Sequence, residues 1–166
     1  GGFFVTDGVG NGITWANAAG IQDLFDNTGT LLMWVQYTSG ISAGDRYIEK
    51  DDASGGWGIY YNATSQIRWY GRATGTNYTY QSTVSTSANT WFLIAIEWDS
   101  QSLGTTPKSW FNGSPATTAI ISSGSGTYVS DGGSGMTLMG RTLNDASEIP
   151  GKLGACAFYS GALSDA

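Results

Sequence analysis

The chain has 166 residues, with thirteen acidic against seven basic side chains and a formal net charge of −6. The basic residues are scattered along the sequence, so the acidic chain would be repelled by nucleic acid and by anionic membrane surfaces. No apolar run approaches the roughly 18 residues of a membrane-spanning helix. Histidine is absent and Cys156 is the single cysteine, which excludes a Ser-His-Asp triad, a Cys-His dyad, an intrachain disulfide and a zinc site of histidines or several cysteines.

Short β-strands joined by tight turns are the structure that the composition predicts. The chain contains 25 glycines, about twice the usual share, and only 12% charged residues, about half the usual share. Strand-like runs bounded by turn residues follow one another at 3–6, 12–16, 30–38, 46–50, 57–61, 66–72, 78–84, 91–99, 108–111, 136–139 and 153–160. No long segment has the 3.6-residue apolar period of a helix. We therefore expect one all-β domain over 1–166.

Seven motifs occur in an order that resembles the concanavalin A-like, laminin G-like superfamily, and they cover essentially the whole chain. They include a Gly-Thr, apolar, Trp-Val strand, a Gly-Trp-Gly strand, a Trp-Asp strand and an Asn-Gly turn, and they occupy residues 4–8, 29–35, 50–60, 91–99, 110–113, 140–141 and 151–164. The resemblance implies a two-sheet antiparallel jelly-roll sandwich. Fold alone does not establish what such a domain binds.

A calcium ion is the cofactor that the resemblance brings into question. Many relatives carry an acidic residue midway through the last strand, near a calcium held with an early loop, whereas Gly154 and Ala155 stand there in this chain. Calcium takes six to eight oxygen ligands, usually including carboxylates. We therefore expect no cofactor, and only Asp7 and Asn11, in a solvated early turn, remain as candidate calcium ligands.

Catalysis by a pair of carboxylates is the obvious enzymatic alternative, because the superfamily includes glycoside hydrolases. Their strand motif is Glu, any, Asp, any, any, Glu, and glycoside hydrolysis needs two carboxylates flanking the bond. Glu97 and Asp99 match the first two positions, but Gln101 and Ser102 follow and the third carboxylate is missing. We therefore predict that the domain is not an enzyme and has no catalytic residues.

Strand alternation suggests a set of ligand-binding side chains. In the strand 91–99, Glu97 faces away from the apolar side, and Arg68, Tyr70 and Tyr60 face away from the apolar residues of their own strands. One concave surface that carries a carboxylate, an arginine and tyrosines could bind a sugar. The plainer alternative is a Glu–Arg pair across a solvated sheet, worth less than about 1 kcal/mol.

Three further aromatic residues form a second candidate set. Trp57 stands beside a glycine-rich turn, and Tyr78 and Tyr80 lie in an otherwise polar strand, where exposed rings could contact a ligand. The competing interpretation places them in the core, because a sandwich must fill its interior with large side chains.

A non-catalytic, lectin-like module that binds a glycan or another surface ligand is our leading functional hypothesis. The second is a structural or decoration domain of a virion or cell-surface protein, acting through protein partners in an assembly; a glycoside hydrolase is the third. The acidic, lysine-poor, Ser/Thr/Gly-rich composition fits a domain displayed outside a cell or on a particle, so we expect an extracellular, cell-surface or virion-surface location.

Overall fold

The computed structural model describes residues 2–10, 12–62, 66–99, 105–141 and 147–162, and these contain thirteen strands and no helix. The strands are β1 (Phe4–Thr6), β2 (Ile13–Trp15), β3 (Thr28–Tyr37), β4 (Arg46–Asp51), β5 (Gly56–Asn62), β6 (Gln66–Gly71), β7 (Tyr78–Thr83), β8 (Phe92–Asp99), β9 (Lys108–Phe111), β10 (Ser114–Pro115), β11 (Thr118–Ser123), β12 (Met136–Leu138) and β13 (Gly151–Ser160).

Two antiparallel sheets pack face to face. The six-stranded sheet has the order β1-β13-β3-β8-β9-β10, and the seven-stranded sheet has the order β11-β7-β6-β5-β4-β12-β2. Strands β4 to β7 follow one another as hairpins, but other neighbours, such as β1 and β13, are far apart in sequence, and these long connections are those of a jelly roll. The predicted two-sheet, all-β architecture is confirmed.

Each predicted strand has a counterpart in the structure, but β10 and β11 were not predicted. Strand β11 pairs with β7 at the edge of the seven-stranded sheet, and its register shifts between Ile120 and Ser122. Ile120 and Ile121 are both largely exposed. Because this edge strand lacks the alternation of apolar and polar residues, its pattern gives no strand signal.

The core lies between the sheets and follows the period of two along each strand. In β8, Ile94, Ile96 and Trp98 point inward as predicted, and the neighbouring strand β3 of the same sheet contributes Leu31 and Met33. All five side chains are at most 3% exposed. The residues between them on the same strands therefore form the outer face of the six-stranded sheet.

One inward-pointing side chain of β4 is a charged lysine. The Nζ atom of Lys50 lies 2.8 to 3.1 Å from four oxygens, namely the side-chain Oδ1 atoms of Asn17 and Asp131 and the backbone carbonyls of Asp131 and Ser134. The Lys50 and Asp131 side chains are both fully buried, and Trp57 Nε1 donates a hydrogen bond of 2.8 Å to Asp131 Oδ2. This ion pair ties two loops to the end of the seven-stranded sheet.

Asp26 lies close to this pair, and we expect it to make stability depend on pH. Burial, together with the nearby carboxylates of Asp23 and Asp131, raises the pKa of Asp26 to about 6. A carboxyl group whose pKa is raised by folding stabilises the fold in its protonated form, so its contribution is present below pH 4 and is lost as the pH rises through 6. We expect Asp26→Asn to raise the melting temperature at pH 8 and to leave it nearly unchanged at pH 4.

The control for this measurement is Asp52→Asn, because we expect it to change the melting temperature at pH 8 in the opposite direction. A hydrogen bond from the Gly55 amide lowers the pKa of Asp52 despite some desolvation, so the ionised form is the stabilising one. Thermal unfolding followed by circular dichroism at both pH values should therefore show Asp52→Asn lowering the melting temperature at pH 8. An Asp26→Asn variant that is less stable than the wild type at pH 8 would contradict the assignment.

Candidate functional site

The four arginines of the chain, which are far apart in sequence, lie on the outer face of the seven-stranded sheet. Arg46 and Arg141 both approach Glu49, at Nε–Oε1 distances of 2.9 and 3.7 Å. Arg68 lies on β6 and Arg72 follows directly after that strand. We call this surface the arginine face. It is a basic patch that the scattered sequence positions did not reveal, on a chain that is acidic overall.

Two buried carboxylates hold the arginine face together. Glu49 and Asp51 are separated by one residue on β4, so their side chains leave the same side of the sheet, and both are fully buried. Glu49 Oε1 accepts a hydrogen bond from Arg46, and Asp51 accepts two from Arg72, at 2.7 and 3.2 Å. The hydroxyl oxygen of Tyr70 lies 2.8 Å from Glu49 Oε1 and 2.7 Å from Asp51 Oδ2.

A glycine on β5 lets Tyr70 reach these carboxylates. Gly58 pairs with Tyr70 on one side and with Glu49 on the other, so it lies between them in the sheet. A Cβ atom at position 58 would lie only 2.7 Å from Tyr70 Cε1 and 3.0 Å from its hydroxyl oxygen. The tyrosine ring therefore lies across β5 in space that any other residue would occupy.

The accessible part of the arginine face carries a ring, guanidinium groups and amides. The guanidinium carbon of Arg46 lies 4.6 Å from the ring centroid of Tyr60, and Arg68 pairs with Tyr60 across the strands. Arg68 Nε donates a hydrogen bond of 2.7 Å to Gln81 Oε1, and the amide of Asn62 donates to the same oxygen at 3.4 Å. Among the described residues, Arg68 is the arginine without a carboxylate within salt-bridge distance.

The exposed groups of this surface are hydrogen-bond donors and an aromatic ring rather than free carboxylates. Both carboxylates are fully buried and bound to arginines, so neither is presented to a ligand as an acid or base. Burial, followed by the charges of Glu49 and Asp51, raises the pKa of Tyr70 and keeps its hydroxyl protonated, which removes it as a nucleophile. Guanidinium groups that are fixed in place instead offer paired donors to an anionic or polyhydroxylated ligand.

Of the first predicted set, Arg68, Tyr70 and Tyr60 lie on one face, but Glu97 does not. Glu97 is on β8 of the six-stranded sheet, where its Oε1 lies 3.0 Å from the Nζ of Lys108. The placement of Glu97 on this surface, and the alternative Glu97–Arg68 pair, are therefore wrong. Alternation along a strand tells which way a side chain points but not which of two sheets the strand joins.

The second predicted set is in the core, so the surface role expected for these rings is wrong. Trp57, Tyr78 and Tyr80 are only 1 to 2% exposed and belong to the cluster between the sheets. In β7 the outward positions are instead those of Thr79 and Gln81, and the two tyrosines point inward. The space between two sheets has to be filled, and these rings fill it.

Sequence reasoning missed Arg46, Glu49, Asp51 and Arg72, although the signal was present. Glu49 lies on the predicted strand 46–50 and Asp51 comes directly after it, two residues from Glu49, while Arg72 continues the outward series after Arg68 and Tyr70. Applying the alternation rule to every charged residue would have found this set.

Of the two candidate calcium ligands, Asn11 is outside the described residues. Asp7 is exposed, and its Oδ1 accepts a hydrogen bond of 2.9 Å from the amide of Val9, which is a local turn. Asp7 lines a polar groove with Asp45 and Glu148. The described parts of the chain contain no group of three acidic, histidine or cysteine side chains that could hold a metal ion, and they contain no helix long and apolar enough to cross a membrane.

Comparisons with known proteins agree with this architecture. Residues 7–166 match the sequence profile of the concanavalin A-like lectin/glucanases superfamily. Among curated proteins, no sequence matches that of the chain. The CBM40 domain of Ruminococcus gnavus IT-sialidase, solved with α2,3-sialyllactose bound, is 15% identical with a TM-score of 0.67, and the match covers 93% of this chain and 92% of that one.

Two further solved structures contain a similar fold within longer chains. The binding domain of Paraclostridial Mosquitocidal Protein 1 is 14% identical with a TM-score of 0.69, over 98% of this chain and 43% of that one. Trypanosoma rangeli sialidase is 14% identical with a TM-score of 0.62, over 96% of this chain and 25% of that one. At these identities, the similarity concerns the fold.

Proposed function

Because the chain belongs to the concanavalin A-like lectin/glucanases superfamily, we propose that it is a non-catalytic carbohydrate-binding module whose ligand contacts the arginine face. The observation that carries this proposal is the collection of all four arginines on one sheet face of a chain with a net charge of −6. Such a distribution concentrates positive charge where a ligand can approach and leaves the rest of the surface acidic.

The ligand class that fits this face is a glycan bearing a carboxylate. Arg68 is partly exposed and has only the neutral Gln81 amide as a side-chain partner among the described residues, so its charge is available to an anion. The adjacent Tyr60 ring offers an apolar surface to a sugar ring, and the amides of this region can bind hydroxyl groups. The Ruminococcus gnavus domain, which shares the fold, was solved with α2,3- and α2,6-sialyllactose, and this supports a sialylated ligand.

We expect Arg68→Gln to weaken binding of 3′-sialyllactose by roughly tenfold to a hundredfold, because a hydrogen bond to a charged group contributes about 1.5–3 kcal/mol. The glutamine keeps hydrogen-bonding capacity but removes the charge. Isothermal titration calorimetry measures the dissociation constant directly, and lactose, which lacks the carboxylate, tests whether the anion is what Arg68 recognises.

Lys152→Gln is the matched control, since it removes one positive charge from β13 on the other sheet. It should leave the affinity for 3′-sialyllactose unchanged if the contact is local rather than an effect of net charge. A glycan array without any bound glycan, in the presence and in the absence of calcium, would overturn the proposed function.

A structural role through protein partners is the second candidate, and an exposed aromatic patch favours it. Phe3, Trp34 and Trp91 are between 36% and 51% exposed, and both tryptophans lie within 3.3 Å of the position that a Cβ atom on Gly154 would take. Apolar patches of this kind often mark contacts between proteins. On a cell or virion surface they would serve assembly, and a strictly monomeric mass by light scattering would count against this role.

A further inference from the structure

Glu97, which lines a cleft on the outer face of the six-stranded sheet, has an unsatisfied carboxylate oxygen. Its side chain is 10% exposed, and its Oε1 lies 3.0 Å from the ammonium of Lys108. Its Oε2 is buried and has no hydrogen-bond partner in the described parts of the chain. A buried charged acceptor without a donor is unfavourable, so this atom is suited to receive a hydrogen bond from a ligand.

The cleft around Glu97 is lined by hydroxyl-bearing and charged residues. Its cavity volume is about 190 Å³, below the roughly 300–1,000 Å³ that is usual for sites of drug-sized ligands, so it suits a small ligand. Its lining comprises Thr28, Glu97, Trp98, Asp99, Thr105, Thr106, Pro107 and Lys108. A second cleft shares the last three of these residues and continues past Trp110 and Pro115 to Thr118, at the edge of the seven-stranded sheet. The two clefts form one groove.

Trp110 supplies this groove with an aromatic surface. Along β9, Ser109 is buried and bonds to Ser82 of the facing sheet, and the Phe111 ring packs 5.2 Å from the Phe92 ring in the core. Alternation therefore turns Trp110 outward, where it is partly exposed and lines the groove. An indole ring beside hydrogen-bonding groups is a combination that suits a sugar, whose ring has apolar faces and polar edges.

We propose that this groove is a second carbohydrate site, for a neutral sugar ring that donates a hydroxyl hydrogen bond to Glu97 Oε2 and packs against Trp110. Two carboxylates, Glu97 and Asp99, and one ammonium group, Lys108, give the cleft a net negative charge. A sugar carboxylate would be repelled, whereas hydroxyl groups would not. The site is therefore different in ligand class from the arginine face.

The two sites lie on opposite sides of the sandwich, so one domain can hold two glycans at once. Glu97 belongs to the six-stranded sheet and the arginine face to the seven-stranded sheet. Two weak sites on one rigid body bind a surface that displays many glycans more tightly than either site alone. This second site can exist whether or not the arginine face binds sialylated glycans.

The test is a two-dimensional ¹H–¹⁵N NMR titration of the full chain with galactose, mannose, glucose and N-acetylglucosamine, each taken to tens of millimolar. We expect at least one of these sugars to shift the indole N–H signal of Trp110, assigned from Trp110→Ala, and the amide signal of Lys108. Glu97→Gln, which is nearly equal in size, should raise the dissociation constant at least tenfold.

Arg68→Gln should leave this titration unchanged, and Glu97→Gln should leave binding of 3′-sialyllactose unchanged, so failure at one site is distinguishable from failure at the other. The proposal is overturned if none of the four sugars moves the Trp110 and Lys108 signals. It is equally overturned if Arg68→Gln removes the shifts, or if folded Glu97→Gln binds the sugar as tightly as the wild type.

Discussion

Lys50→Met is expected to lower the free energy of unfolding by about 3–5 kcal/mol, which is the cost of removing one partner from a buried ion pair. Methionine fills similar space but leaves Asp131 as a fully buried carboxylate that has lost its neighbouring charge. The carbonyls of Asp131 and Ser134 lose their ammonium donor in the same step. Urea unfolding followed by tryptophan fluorescence measures the loss, which is a large part of the stability of an ordinary domain.

Two further variants show whether the charge, rather than the side-chain volume, accounts for this loss. Lys152→Met removes a lysine from the surface strand β13, where the side chain is partly exposed, and we expect a change of less than about 0.5 kcal/mol. Adding Asp131→Asn to Lys50→Met should recover part of the lost stability, because the unpaired charge is then gone. The ion-pair explanation predicts that the double variant loses less stability than the two single variants together. A larger loss than that sum would contradict it.

Gly56→Ala is expected to lower the free energy of unfolding by about 4 kcal/mol or to prevent folding altogether. Gly56 opens β5 with a φ of +113°, and a Cβ atom there would lie 2.0 Å from the backbone oxygen of Lys50. An alanine at such a φ costs about 1–3 kcal/mol by itself, and a contact with backbone cannot be relieved by rotating a side chain. The strand would have to move away from Asp51, its partner in the register.

Gly40→Ala separates the two causes, because Gly40 has a similar φ of +101° but nothing within 4 Å of the added carbon. We expect this control to lose only the backbone strain, about 1–2 kcal/mol. Chemical denaturation of both variants gives the comparison. Equal losses at the two positions would mean that the close approach to Lys50 contributes nothing.

Alternation and turn chemistry were enough to predict the architecture of this chain. The strand around Ile94 and Ile96 has the period of two that its core position requires, and the Asn112–Gly113 dipeptide marks the turn that follows β9. Such local signals fail where a strand lies at a sheet edge, as β11 does, because neither of its faces is consistently buried.

The candidate site was only partly predictable, because its residues meet through long-range pairing. Arg68, Tyr60 and Tyr70 were expected on a common face, and they lie there, but Arg46 and Arg72 join them only because β4 to β6 stand side by side. Excluding Glu97 from this surface required knowing that β8 pairs with β3 in the other sheet, and no local pattern contains that information. Ligand binding by these residues stays a prediction.

The buried carboxylates beneath the arginine face should make a binding site on this face selective. A free arginine side chain loses up to about 2 kcal/mol of rotamer entropy when it binds a ligand. Arg46 and Arg72 have already lost much of that freedom during folding, since Glu49 and Asp51 fix their directions. Such preorganised groups cannot follow a ligand of different shape, so discrimination between stereoisomers should be sharp even where the overall affinity is low.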